Sequence, residues 1–144
     1  MPGPQFFTPK SVKPSRPKRR FTVAQANSTL PLVQRVVRDI VRTHGEVAKL
    51  QSEMEGQPAG KSPKEAQARL DALMGHMEDY VDELTEIGCD LKDYQTGLID
   101  FIGRHAGHDV CLCWKLGEPR IDFWHEMDAG FAGRQPISTL REEQ

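Results

Sequence analysis

Leu30, Val33, Val37, Ile40, His44 and Val47 recur at spacings of three and four, which places them in one stripe along a long helix. Arg35, Arg38, Asp39, Arg42 and Glu46 fall on its other faces. Upstream, Thr22 and Gln25 form a capping-box pattern that predicts a short helix through Ala26. Asn27, Ser28 and Thr29 then offer new caps, and Pro31 suits the first turn of a second helix, where its missing N–H costs nothing. That helix is expected to run to Met54 or Glu55, and Gly56, Pro58 and Gly60 break it. Ser62, Pro63 and Glu65 restart a helix whose stripe is Leu70, Leu73, Met77, Val81 and Leu84, and Gly88 closes it. Two long helices with a short link predict an antiparallel hairpin over residues 29–88.

The period then shortens to two. Leu98 to Arg104, Asp109 to Lys115 and Arg120 to His125 read as strands, linked by Ala106-Gly107 and by Gly117-Glu118-Pro119. Val110, Leu112 and Trp114 share one face of the middle strand, and Cys111, Cys113 and Lys115 the other. In the third strand Ile121, Phe123 and His125 oppose Asp122 and Trp124, and the face with Ile121 and Phe123 is expected to meet the helices. The fold class predicted is therefore α+β: a helical hairpin on a three-stranded antiparallel meander, with the meander and a following loop spanning residues 97–137.

Composition refines this picture at the N-terminus. Residues 1–20 hold five prolines and six of the chain's 19 basic residues with no acid, so the remaining thirteen face all 21 acids. A basic, proline-rich, disordered tail thus precedes a domain at 21–144 with a net charge of −8. Residues 10–20 of that tail could touch nucleic acid through phosphate neutralisation, or serve as a solvated tail, or fold back on the acidic domain. Apolar runs are too short for a membrane span, and no basic-then-apolar leader opens the chain. With only three cysteines, Cys89, Cys111 and Cys113, these features predict a cytoplasmic protein with free thiols.

The chemistry concentrates near the end. Trp114, Glu118, Trp124, His125, Glu126, Asp128 and Arg134 combine aromatic walls, ionisable groups and neighbouring glycines, and are the candidate ligand-binding residues. His125, Glu126 and Asp128 are types that bind a divalent metal or exchange protons, yet strand alternation sends such neighbours to opposite faces; a core histidine and turn-capping acids are the plainer reading. Arg134, flanked by glycines, could clamp a small anionic ligand, or pair with a local acid such as Asp128 or Glu126. Cys111-x-Cys113 could give zinc two thiolates, with Cys89, His105, His108 or His125 completing the set, or simply be half-buried thiols of the sheet. Asp100 interrupts the first strand between Ile99 and Phe101, facing either solvent or a basic group. His44 and His76 lie on or beside the two helix stripes, where a hydrogen-bonded core role is the ordinary one. Serine nucleophile elbows, His-Glu-x-x-His helices, phosphate loops, dinucleotide fingerprints and internal repeats are all missing from the sequence.

Several stretches resemble the domain-of-unknown-function family 2203. They are Phe21-Thr22 with Ala26-Asn27 and Leu30-Pro31, Gly97 to Phe101, Leu112 to Glu118, and the unbroken run from Trp124 to Arg134. The resemblance covers residues 21–137, and His105 departs from its pattern. It implies a bacterial cytoplasmic protein and carries no activity, cofactor or catalytic assignment. The reading that follows is a non-enzymatic ligand-binding or protein-interaction module with its pocket at the Trp124–Arg134 segment, and with apolar stripe enough to suggest a homodimer. The alternatives are a metal- or anion-dependent enzyme using the same residues, and a nucleic-acid-associated protein acting through the tail.

Overall fold

The capping box forms as its residues dictate. Gln25 N–H donates to Thr22 Oγ1 at 3.0 Å and Thr22 N–H donates to Gln25 Oε1 at 2.9 Å. Helix α1 (Val23–Gly56) starts there and runs without a break, so the two expected helices are one. The computed structural model describes residues 19–56 and 63–142. The expectations for residues 1–18, for the Ser62 cap and for the loop after Gly56 lie outside them.

Pro31 sits inside α1 because packing outweighs its local cost. A proline in a helix interior costs about 3 kcal/mol. Ala26, Leu30, Val33 and Val37 are all buried on one stripe that passes the proline, and each large member contributes about 1.5–3 kcal/mol. The residues expected to cap a second helix have other partners. Ser28 and Thr29 hydroxyls donate back to the Gln25 and Ala26 carbonyls at 2.7 Å each, and Asn27 Oδ1 accepts the Ile121 N–H at 2.8 Å.

Helix α2 (Pro63–Ile87) ends where Gly88 turns left-handed at φ 118°, with the Gly88 and Cys89 amides both donating to the Leu84 carbonyl. Five strands follow: β1 (Asp90–Asp93), β2 (Leu98–His105), β3 (His108–Lys115), β4 (Phe123–Glu126) and β5 (Gln135–Pro136). They pair antiparallel in the order β1-β2-β3-β4-β5, a meander. Ala106 and Gly107, both at positive φ, make the two-residue turn between β2 and β3. The predicted α+β architecture is thus present, with two short edge strands beyond the three expected. Neither edge strand alternates: β1 reads Asp-Leu-Lys-Asp and β5 is two residues long.

One expectation is reversed. Register sets Leu112 opposite Trp124 and Cys113 opposite Phe123, so Trp124, not Phe123, shares the core face with Val110, Leu112 and Trp114. Alternation could not carry from Ile121 to Phe123 because pairing begins only at Phe123. Ile121 precedes the strand and is turned into the core with its amide held by Asn27. Leu30, Val33, Val37, Ile40 and Val47 of α1 and Leu70, Leu73, Met77 and Leu84 of α2 form one buried cluster with Phe21, Ile99, Phe101, Val110, Leu112, Trp114 and Trp124, while His44 and Val81 are half-buried at its margin. The opposite face of the sheet carries Asp100, Ile102, Cys111, Cys113, Phe123 and His125.

Candidate functional site

The sheet face turned away from the helices holds groups that water would normally claim. Asp100 on β2 and His125 on β4 are 5% and 3% exposed, and Cys113 on β3 is fully buried. Segment 127–134 folds back over them before the chain pairs with β4 as β5. Met127 Sδ accepts the Cys111 thiol at 3.6 Å, and the Arg134 guanidinium lies over the Phe123 ring at 4.3 Å and the Phe131 ring at 4.5 Å. Between this flap and the edge of the sheet lies an open hollow of about 710 Å³. Asp90 and Lys92 of β1, Leu98 and Ile102 of β2, Met127 and Phe131 wall it, and Asp100, Cys111 and His125 floor it.

The floor has a defined proton arrangement. His125 Nδ1 lies 2.8 Å from the Glu126 carbonyl oxygen, which only accepts, so Nδ1 carries a hydrogen. Nε2 then faces Asp100 Oδ1 at 3.4 Å. That contact lacks hydrogen-bond geometry, and Oδ1 is a buried oxygen with no hydrogen-bond partner. A carboxylate oxygen in this position is costly unless something cationic or donating reaches it. Burial pushes the Cys111 thiol up to about 12, with Asp100 adding to the effect. Burial pushes Cys113 up to about 11 against the Arg134 guanidinium, whose Nε donates to its sulfur at 3.4 Å. All three cysteines are free.

The seven residues singled out from sequence divide among four places. Trp114 and Trp124 are buried in the core, their indole N–H groups donating to the Glu118 carbonyl and to Thr139 Oγ1, each at 3.0 Å. Glu118 and Arg134 hold each other through two hydrogen bonds of 2.7 Å, and Glu118 Oε1 also accepts the Lys115 N–H. His125 alone lies in the floor of the hollow. Glu126 meets His108 Nε2 at 2.9 Å on the surface, and Asp128 is exposed in the turn after β4. An anionic ligand at Arg134 would have to displace a carboxylate already bound in the forked geometry that guanidinium favours.

Asp100 had shown only as an acid interrupting a strand, and Cys113 only as half of a thiol pair. Register joins them: Asp100 stands opposite Cys113, and His125 opposite Cys111. The walls from β1 gave no signal, because a short polar edge strand looks like loop. Elsewhere, His44 stacks on Tyr94, His76 is exposed, and His105 stacks on Trp124. Of the six basic residues of the tail, the two described ones engage the folded chain: Arg19 lies over the Phe21 ring, and Arg20 pairs with Asp109 at 2.7 Å. No described helix is long and apolar enough to cross a membrane.

Residues 19–137 match the family model described as "Uncharacterized conserved protein (DUF2203)". No curated protein and no solved structure matches the chain.

Proposed function

The chain belongs to the DUF2203 family of uncharacterized conserved proteins, and from its own residues we propose that it is a binding module whose site is the hollow on the outer face of the sheet. The observation that carries this reading is an apolar stretch of wall set beside a polar, buried floor, with Arg20, Asp90, Lys92 and Asp109 adding charge to the rest of the lining. Leu98, Ile102, Met127 and Phe131 offer surface to the body of a small ligand. Asp100 Oδ1 supplies an acceptor with no partner of its own at the bottom. A small ligand with an apolar body and a donor group meets both requirements, the usual division of labour in a ligand pocket. Met127 and Phe131 stand at the rim, 54% and 44% exposed, and are among the few large apolar side chains left in solvent among the described residues.

Binding is favoured over the acid–base arrangement expected from sequence because its members are dispersed: Glu126 faces His108, Asp128 faces solvent and Arg134 is held by Glu118. A fragment library screened by amide chemical-shift mapping tests the reading. Shifts are expected at Leu98, Ile102, Met127 and Gly130, and Ile102→Trp, which fills the hollow from its wall, is expected to remove them. Shifts scattered over the surface, or unchanged in Ile102→Trp, would refute it.

A further inference from the structure

We propose that Asp100, Cys113 and His125 bind a divalent metal ion of zinc-like character, with Asp100 and His125 at the floor of the hollow and Cys113 buried beneath it. One ligand atom from each, a carboxylate oxygen, the sulfur and a ring nitrogen, lies within 4.8 Å of the other two. Nε2 and Oδ1, at 3.4 Å, are spaced as two ligands of one tetrahedral ion with bonds of about 2.0–2.2 Å. Three neighbouring strands supply the three groups, and strand pairing fixes their spacing.

Two further features point to a metal. The partnerless Oδ1 of Asp100 needs a cation or donor, and His125, with a hydrogen on Nδ1, turns Nε2 toward the same space. A metal ion satisfies both at once. The Nδ1–H bond to the Glu126 carbonyl is the outer contact by which proteins fix the tautomer and direction of a ligating imidazole. Cys113 has an outer partner as well, Arg134 Nε, which is itself locked by Glu118.

The donor set selects the ion. Magnesium and calcium prefer all-oxygen shells, whereas a thiolate, an imidazole and a carboxylate together suit zinc or its borderline neighbours. On binding, the sulfur–hydrogen bond of Cys113 gives way to a metal–sulfur bond and the proton leaves to solvent. A dication, a carboxylate and a thiolate then sum to zero charge, which makes their joint burial tolerable. Three protein ligands leave a position open, and Asp100 and His125 line the hollow from which it would be filled. This last step rests on the hollow being a binding site, with the ion in place of a ligand's donor group on Asp100 Oδ1; the metal site itself does not rest on it.

Cobalt(II) titration of the full chain, first stripped of metal with a chelator, decides the matter. One equivalent is expected to produce a near-ultraviolet thiolate-to-cobalt band and the intense visible bands of a four-coordinate ion, with zinc displacing both. Cys113→Ser should remove the thiolate band, and Asp100→Asn and His125→Gln should remove stoichiometric binding, while Cys89→Ser leaves all bands in place. Wild-type protein that takes up no cobalt would overturn the proposal, as would a thiolate band that survives Cys113→Ser. The wild-type titration stands even if a variant does not fold. Cobalt bands without fragment binding would leave the metal site and remove the hollow as a ligand site; fragment binding without cobalt bands would do the reverse.

Discussion

Arg134 grips Glu118 with both terminal nitrogens, each 2.7 Å from a different carboxylate oxygen, across a separation of sixteen residues. Side-chain exposures of 13% and 19% put the pair well inside the surface. It ties the segment after β4 to the turn after β3, and so holds the flap over the hollow. Removing one member strands the other, which costs about 3–5 kcal/mol for a fully buried pair and somewhat less here. Glu118→Gln is therefore expected to destabilise the fold by roughly 2–3 kcal/mol in urea unfolding. Arg134→Lys should lose nearly as much, because an ammonium cannot reproduce the two-point fork. Equal stability of all three proteins would show that the pair is only a surface contact.

The same pair sets an acid limit. Burial pushes the Glu118 carboxyl up, but the hydrogen bonds from Arg134 and the Lys115 amide, with the charges of both side chains, more than offset it and leave it below its ordinary value. A group whose folded pKa is depressed contributes stability above its unfolded pKa, and that contribution fades as pH falls through the folded value. The stability gap between wild type and Glu118→Gln should be full at pH 7 and shrink steadily below the ordinary glutamate range, about pH 4. Chemical unfolding across that range checks it, and a gap that widens on acidification would reverse the assignment.

Helix α1 approaches the β1–β2 turn so closely that only a residue without a side chain fits there. Gly97 has φ 77°, and a Cβ on it would come within 2.7 Å of Val37 Cγ1 and 3.1 Å of Val41 Cγ2. Gly97→Ala therefore combines a strained backbone with overpacking against the helix. The two together should cost about 2–4 kcal/mol. A melting temperature unchanged from wild type would mean that α1 does not pack against the sheet at this point.

Where packing demand was periodic, the sequence disclosed the fold. The stripes of both helices, the two-residue turn at Ala106-Gly107 and the strands β2 and β3 all follow from spacing and turn chemistry. Failures came where a local rule met a stronger tertiary one. Pro31 reads as a helix start, yet the stripe from Ala26 to Val37 carries the helix through it. Trp124 reads as outward when Ile121 and Phe123 are taken as one strand, yet the strand begins only at Phe123. For the site, residue type located His125 and Arg134 but not their neighbours. Asp100 and His125 are twenty-five positions apart, and only the register of β2, β3 and β4 makes them touch.

That contact also separates two accounts of the floor by stability alone. If His125 were an imidazolium bound to Asp100 as a structural ion pair, Asp100→Asn would strand a buried charge and cost about 3–5 kcal/mol with or without metal. If the pair instead awaits a dication, the carboxylate is a burden to the metal-free fold. Chelator-treated Asp100→Asn should then melt no lower than chelator-treated wild type. Zinc at roughly a hundredfold excess over its dissociation constant should stabilise wild type by about 2.7 kcal/mol. For a chain of this size that is a rise of roughly 5–11 °C, since each kcal/mol moves the midpoint by about 2–4 °C. Asp100→Asn should lose most of that rise. Differential scanning calorimetry of the two proteins, with chelator and with zinc, gives four midpoints. A variant that melts far below wild type in chelator, with no zinc response in either protein, would assign the contact to the ion pair.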